Sequence, residues 1–511
     1  MTEGIPGPVE EVFGAFAPRF YGVSLILETV AHYKAFASLS DGSVDRGGLG
    51  LSDFDWACLR TTLEHENRHF HDSLISPFSN GIMLLRMLAA YNGIRLLKRV
   101  GNLGGNCLPV PATKWMYMSA DRRHAWMADA VDPDEPGKLN PVPLPILSGI
   151  DPSDMVDGLE SSSSDDDDSE SAREQLARAT MGYYEAAAAL MRGATDILRP
   201  LKLTLDGEAF ELDAIAAPRN FFEASALSVQ LQAAWTNEDG SAFRPLLQFI
   251  NSSDMPYARF FRRLARAISL PGAPVKIDPH KISVAAIWCL LGDGTNRSAV
   301  DPSIRCMKLL RILDDHGIPD GLPTGSLWDL WDEQLKLASW RSNLRALKAR
   351  TLSSVEQVYA AEQAVGMSEF SPVLKQYQED QIIAVDLLLD DPDCYVSPYR
   401  YLHEATEQLP NPITSIELGE NLIVPLGTVP EGAPVRFPRL YDKDGERGWN
   451  RSVTDPAADR RPGLLDAVLE VESVCKISDV VFSNEKLRPI EHEAFQAAVE
   501  DYLGVVPMYV F

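Results

Sequence analysis

The sequence predicts a mainly α protein with small β parts, an α+β chain, and three observations carry that prediction. Apolar residues recur at three- and four-residue spacing over long segments, from Trp56, Leu59, Leu63 and Phe70 to the run between Ser354 and Leu389. Helix-breaking chemistry separates those segments, as at Pro77, Gly81 and Asp390-Asp391-Pro392. Period-two alternation is confined to short runs, such as Leu201 to Leu205 and Ala209 to Leu212 turning at Asp206-Gly207. With 511 residues, 45% of them hydrophobic, the chain is long enough for two or three well-filled domains. We divide it into 1–250, holding the candidate site, and 251–511, a mainly helical accessory region with short strands about 416–441.

Taken in order, Tyr21 to Ser38 passes from a β-rich start into a helix on which Glu28 and His32 share a face. A Gly/Ser/Asp loop leads to Ser52-Asp53-Phe54-Asp55, a cap followed by acidic first-turn residues. The helix that opens there carries T-L-E-H-E-N-R-H-F-H-D from Thr62 to Asp72, with three of the nine histidines in seven residues. Within it His65-Glu66-Asn67-Arg68-His69 has the form H-E-x-x-H. Residues i and i+4 of a helix lie one above the other, so His65 and His69 can offer two imidazole nitrogens to one metal ion while Glu66 lies beside them. Two neutral imidazoles and a third protein ligand leave a tetrahedral zinc ion one position for water, whose proton a nearby carboxylate can take. Given the composition, chance supplies on the order of 0.01 such matches. Glu66 also falls on the apolar stripe, where a carboxylate is costly unless it is paired or stands beside a metal.

His65-Glu66-x-x-His69 resembles the motif of the zincin superfamily of zinc metallopeptidases. The resemblance covers one helix. It implies one zinc ion held by His65 and His69, Glu66 as general base, and a protein or peptide substrate. Asp72 and Ile75 stand where the metzincin branch has Gly and a third His, so the resemblance points to a gluzincin-like arrangement, with a glutamate ligand from a later helix. Asp72 itself is poorly placed as that ligand, because it lies about 10.5 Å from His65 along the helix axis.

Beyond the motif, Ile82 to Val100 reads as a buried helix. From about 131 to 172 a Pro-rich stretch runs into SSSSDDDDSESA, too polar to offset its ordering entropy, and reads as a disordered acidic insertion. A helix over about 172–198 and the hairpin follow. The helix from Pro218 through Trp235 places Glu223 on one face with Ala226, Leu227, Gln230, Leu231 and Ala234. A carboxylate on that face needs a buried partner, and Glu223 is the leading third metal ligand; Arg219, one turn earlier, is the competing partner. Helices fill 255–389, where Arg259, Arg262, Arg263 and Arg266 read as a solvated basic face. Tyr399, Tyr401 and His403 bring together groups that zincin-like sites use to stabilise an oxyanion.

The formal net charge of −26 sets nucleic acid and anionic membrane surfaces aside as partners. Six scattered cysteines without a C-x-x-C pair read as reduced thiols of a cytoplasmic protein, and no signal peptide or membrane-length apolar run is visible. The expected activity is therefore zinc-dependent hydrolysis of peptide bonds. Two alternatives stand beside it. One is a non-enzymatic helical binding protein with a structural or relic metal site. The other is a di-iron carboxylate protein using Glu66-x-x-His69 with Glu28, Glu223 and Glu404, although only one E-x-x-H is present where two are expected. Deleting residues 161–171 should leave the melting temperature nearly unchanged, because an unpaired acidic loop contributes few buried contacts. A large fall would show that the stretch packs.

Overall fold

The computed structural model describes residues 52–81, 218–236, 242–292, 302–365 and 370–412 almost without interruption, with short strands and single residues elsewhere. Over these the chain is mainly helical, as the periodicity predicts. Glu28 and His32, the 131–172 stretch, the 172–198 helix, most of 82–100 and most of 464–511 lie outside the described residues.

Helix α1 (Asp53–Ile75) begins where the sequence places its cap, with the Ser52 side chain accepting the Asp55 N–H at 3.0 Å. Asp53 and Asp55 add negative charge to the first turn, which the helix dipole favours. It stops at Ser76, whose extended backbone is the conformation a residue before proline prefers. Helix α2 (Pro218–Thr236) is buried on nearly every side, Phe221, Ala224, Leu227 and Val229 all being out of solvent. Ala224, Ser225, Ala226 and Ser228 keep it narrow enough for helices to approach closely from several directions.

Helices α3 (Phe243–Ser252), α4 (Pro256–Ile268), α5 (Pro279–Leu290) and α6 (Pro302–His316) follow. Then come α7 (Thr324–Gln334), α8 (Trp340–Val365) and α9 (Phe370–Asp390). Two short helices, α10 (Pro392–Val396) and α11 (Pro398–Arg400), run into a π-turn at Tyr401–Ala405. Proline opens α4, α5, α10 and α11, at the one helical position where its missing N–H costs nothing. The most extensive helix interfaces among the described residues are α1 with α2, α2 with α5, and α8 with α9, while α9 also reaches back to α1. Helices on both sides of residue 250 thus share one core.

The strands are short. β1 (Gly14–Ala15), β2 (Val23–Leu27), β6 (Thr414–Leu418) and β7 (Leu422–Pro425) form a sheet in the order β1-β2-β6-β7, with Leu25 opposite Ile416 in its one parallel pairing. β3 (Cys107–Val110) pairs in parallel with β8 (Val506–Tyr509). β4 (Lys202–Leu205) and β5 (Glu208–Glu211) make the predicted hairpin, Leu205 facing Glu208 across a two-residue connection. No helix among the described residues is long and apolar enough to cross a membrane.

A fully buried ion pair locks α1 against α2. Arg68 donates from Nε to Asp72 Oδ2 at 3.2 Å and to Ser225 Oγ at 2.9 Å, and its Nη2 lies 3.0 Å from Asp72 Oδ1. Nη1 donates to the Tyr395 carbonyl at 2.7 Å, and the guanidinium carbon sits 4.7 Å and 4.5 Å from the ring centres of Tyr395 and Tyr401. Desolvating a guanidinium costs several kcal/mol, and this cage of a carboxylate, a hydroxyl, a carbonyl and two aromatic faces offsets it. A second buried node, Arg305 with Asp332 at 3.1 Å and stacked 3.7 Å from the Trp288 ring centre, ties α5, α6 and α7 in the same manner.

Removing one member of such a pair leaves the other charge buried and uncompensated. Arg68→Met should therefore destabilise the fold by about 3–5 kcal/mol, and adding Asp72→Leu should recover most of that loss. Urea denaturation of the two variants tests it; a single-variant loss below ~1 kcal/mol would contradict the locking role.

Candidate metal centre

One helical turn before Arg68 and Asp72, the motif face of α1 meets the first half of α2. His65 Nε2 lies 3.3 Å from Glu223 Oε2, His69 Nε2 lies 3.6 Å from the same oxygen, and the two Nε2 atoms are 2.9 Å apart. The imidazole planes are nearly perpendicular, at 84°, and both rings lie on the one face that residues i and i+4 of a helix share. Among the described residues this is the one group of three His, Cys, Asp or Glu side chains whose donor atoms lie within 4.8 Å of one another. Its side chains remain reachable from solvent, with 13% of His65 and 12% of Glu223 exposed.

A relay fixes the chemistry of these atoms. The Thr61 hydroxyl donates to the Ala57 carbonyl at 2.7 Å, and a carbonyl can only accept. Its lone pairs therefore receive the Gln230 amide N–H at 3.0 Å, which turns Gln230 Oε1 toward His65 Nδ1, also at 3.0 Å. His65 must then carry its proton on Nδ1 when neutral, which leaves Nε2 with a lone pair aimed at His69 and Glu223. Three electron-rich atoms at such range repel unless a proton or a metal ion lies among them. The donor set, two imidazoles and a carboxylate, is one that suits zinc.

Electrostatics follow the same geometry. Burial opposes ionisation of Glu223, but the charges of His69 and His65 and hydrogen bonds to both rings hold its carboxyl well below the usual carboxylate range. Burial likewise opposes protonation of His65, and the hydrogen bond to Glu223 with the nearby charges of Glu66 and Glu223 outweighs it, so its pKa is raised. The other Glu223 oxygen, Oε1, accepts from Arg219 Nε at 3.2 Å. The competing partner expected from the sequence is thus present too, one oxygen of Glu223 serving each. Arg219 is 81% exposed and contributes little to holding the site together.

Glu66 is 5% exposed, and its Oε2 is buried without a hydrogen bond. Burial pushes its carboxyl up; the charges of His65 and His69 pull it down and that of Glu223 pushes it further up. A buried carboxylate oxygen within electrostatic reach of both imidazoles is a proton acceptor waiting for a donor.

The remaining candidates stand apart from this centre. Asp72 is held by Arg68. His403 is exposed and lies against Tyr399 on the surface, 4.6 Å between ring centres, while Tyr401 points inward. Glu404 is exposed and paired with Arg400 at 2.6 Å. Of the four arginines of α4, Arg262 binds the Ile250 and Ser253 carbonyls and Arg263 binds Asp314, so that face is partly spent within the fold. Sequence reasoning passed over Gln230, Thr61, Arg68 and Ser225. Gln230 did leave a signal, since it is a polar residue two turns after Glu223 on the same apolar face.

His71 is a structural histidine. Its Nε2–H donates to the Pro410 carbonyl at 2.8 Å, which leaves Nδ1 to accept the Tyr401 hydroxyl at 2.6 Å, and tethers α1 to a segment over 330 residues away. No family model, curated protein or solved structure matches this chain.

Burial, with the Arg68 charge adding to it and the bond to Pro410 opposing, lowers the His71 pKa from the ordinary 6.5 to about 4. The unfolded chain therefore binds the extra proton between those values. Stability from neutral His71 is present above pH ~6.5 and lost as pH falls toward ~4, on the order of 3 kcal/mol. The advantage of wild type over His71→Gln in urea denaturation should shrink by that amount across the window. A pH-independent advantage would contradict the assignment.

Proposed function

We propose that this chain is a zinc-dependent hydrolase of peptide bonds, with His65, His69 and Glu223 as metal ligands and Glu66 as general base. The observation that carries the proposal is the convergence of His65 Nε2, His69 Nε2 and Glu223 Oε2, from two helices 150 residues apart in sequence, beside the buried carboxylate of Glu66. A zinc ion held there supplies a Lewis acid that polarises a carbonyl and acidifies water. The chain's own residues supply the rest. The imidazoles hold their donor atoms in a fixed orientation, and Glu223 brings a single negative charge, so a divalent ion keeps net positive charge toward substrate.

Glu66 has the properties a base needs in this setting. Its raised pKa brings the carboxylate nearer the operating pH, where a group both takes and returns a proton efficiently. In hydrolysis it removes a proton from the attacking water and delivers it to the leaving amine. The net charge of −26 favours neutral or basic peptides over polyanions as substrates.

Ligands and base have different jobs, and variants separate them. His65→Ala, His69→Ala and Glu223→Ala should each lose stoichiometric zinc by elemental analysis. Glu66→Gln should keep the zinc and lower kcat on a peptide library by ~10²–10⁴. The proposal is abandoned if wild-type protein binds no stoichiometric divalent metal.

A further inference from the structure

We infer that Gln230, held by Thr61, is a positioning residue that selects Nε2 of His65 as the donor atom facing Glu223; this rests on the metal-site proposal above. Three hydrogen bonds run in one direction and end on a group that can only accept: His65 Nδ1 to Gln230 Oε1 at 3.0 Å, Gln230 Nε2 to Thr61 Oγ1 at 3.0 Å, and Thr61 Oγ1 to the Ala57 carbonyl at 2.7 Å. All of the members are buried or nearly so, and Gln230 and Thr61 are 6% and 0% exposed, so water does not compete for the bonds. With the Thr61 hydroxyl donating to the Ala57 carbonyl, its oxygen is free to accept the Gln230 amide N–H, which leaves Gln230 Oε1 as the atom facing His65 Nδ1. The backbone of α1 therefore dictates the tautomer of a side chain on the same helix, by way of α2.

The consequence is specific. With Nδ1 occupied as a donor, the neutral ring has one lone pair, and it points at His69 Nε2 and Glu223 Oε2. When the ring is doubly protonated, Gln230 Oε1 still accepts from Nδ1, so the ring orientation is the same before and after a metal displaces the Nε2 proton. Glu223 and Gln230 lie seven residues apart, two turns of α2, so one helix face supplies both a ligand and the group that aims another ligand. A register shift of α2 would lose both at once.

The test uses full-length protein. Nitrogen-15 NMR of the zinc-free chain at alkaline pH should find His65 in the Nδ1–H form in wild type and a mixture of tautomers in Gln230→Leu. Zinc affinity by chelator competition should fall about 10–100-fold in Gln230→Leu and return to within about threefold of wild type in Gln230→Glu, whose carboxylate accepts the same Nδ1–H. Thr61→Val, which frees the amide without touching either ring, should weaken zinc in the same direction by less, and keeps the test alive if Gln230→Leu fails to fold. Unchanged zinc affinity and tautomer in Gln230→Leu or Thr61→Val, with wild type binding zinc, overturns the inference alone. Failure of wild type to bind zinc overturns the metal-site proposal and this inference with it.

Discussion

The burial of Arg68 is the constraint on which the rest of the site depends. An arginine with no solvent contact is tolerated only where every face of its guanidinium finds a partner, and here those partners come from three places: Asp72 on its own helix, Ser225 on α2, and Tyr395 and Tyr401 after α9. None can move without exposing the others' polar atoms to an apolar interior. The ion pair therefore acts less as a source of net stability than as a device that leaves α1 one permitted register against α2.

That register is what presents the histidines. Contacts along the α1–α2 interface run in opposite senses in the two helices, Thr61 and His65 meeting Gln230, Arg68 meeting Ser225, and His69 meeting Glu223. The helices are thus antiparallel. Nine residues of α1, Thr61 to His69, and eight of α2, Glu223 to Gln230, span the same row, about 10–12 Å at the helical rise, so the polar contacts stay in step from one end to the other. The small residues Ala224, Ser225 and Ser228 let the helices approach closely enough for short side chains to meet. A chain with larger residues there would hold the imidazoles and Glu223 apart.

Much of this was legible in the sequence because helical periodicity and capping are local. Ser52 as the cap, Pro77 as the stop, the stacking of His65 on His69 and the apolar surroundings of Glu223 all follow from spacing within one element. What was not legible required knowing which distant surfaces meet. Arg68 and Asp72, at i and i+4, have the spacing of an ordinary solvated pair until Tyr395 and Tyr401 close over them. His71 looks like a third member of the histidine cluster, but a helix turns it about 140° from the midpoint of His65 and His69, toward Pro410. The segment after α9 divides in the same way: Tyr401 is buried against Arg68, while Tyr399 and His403 lie against each other at the surface.

The charges at the centre do not balance by themselves. Two carboxylates, Glu66 and Glu223, stand largely buried with two imidazoles; Arg219, which reaches Glu223, is too exposed to compensate them, and Arg68 is committed to Asp72. Compensation must then come from a cation among the donor atoms. In the metal-free protein protons serve, and the raised pKa of His65 and the depressed carboxyl of Glu223 are the signs of it. In the proposed site a divalent ion would meet the same need with more charge, at the cost of releasing those protons. On that proposal metal and proton would compete for one position. The buried pair behind it is different, because Arg68 and Asp72 supply one charge of each sign and lie 3.0 Å apart, so their charges cancel within the fold.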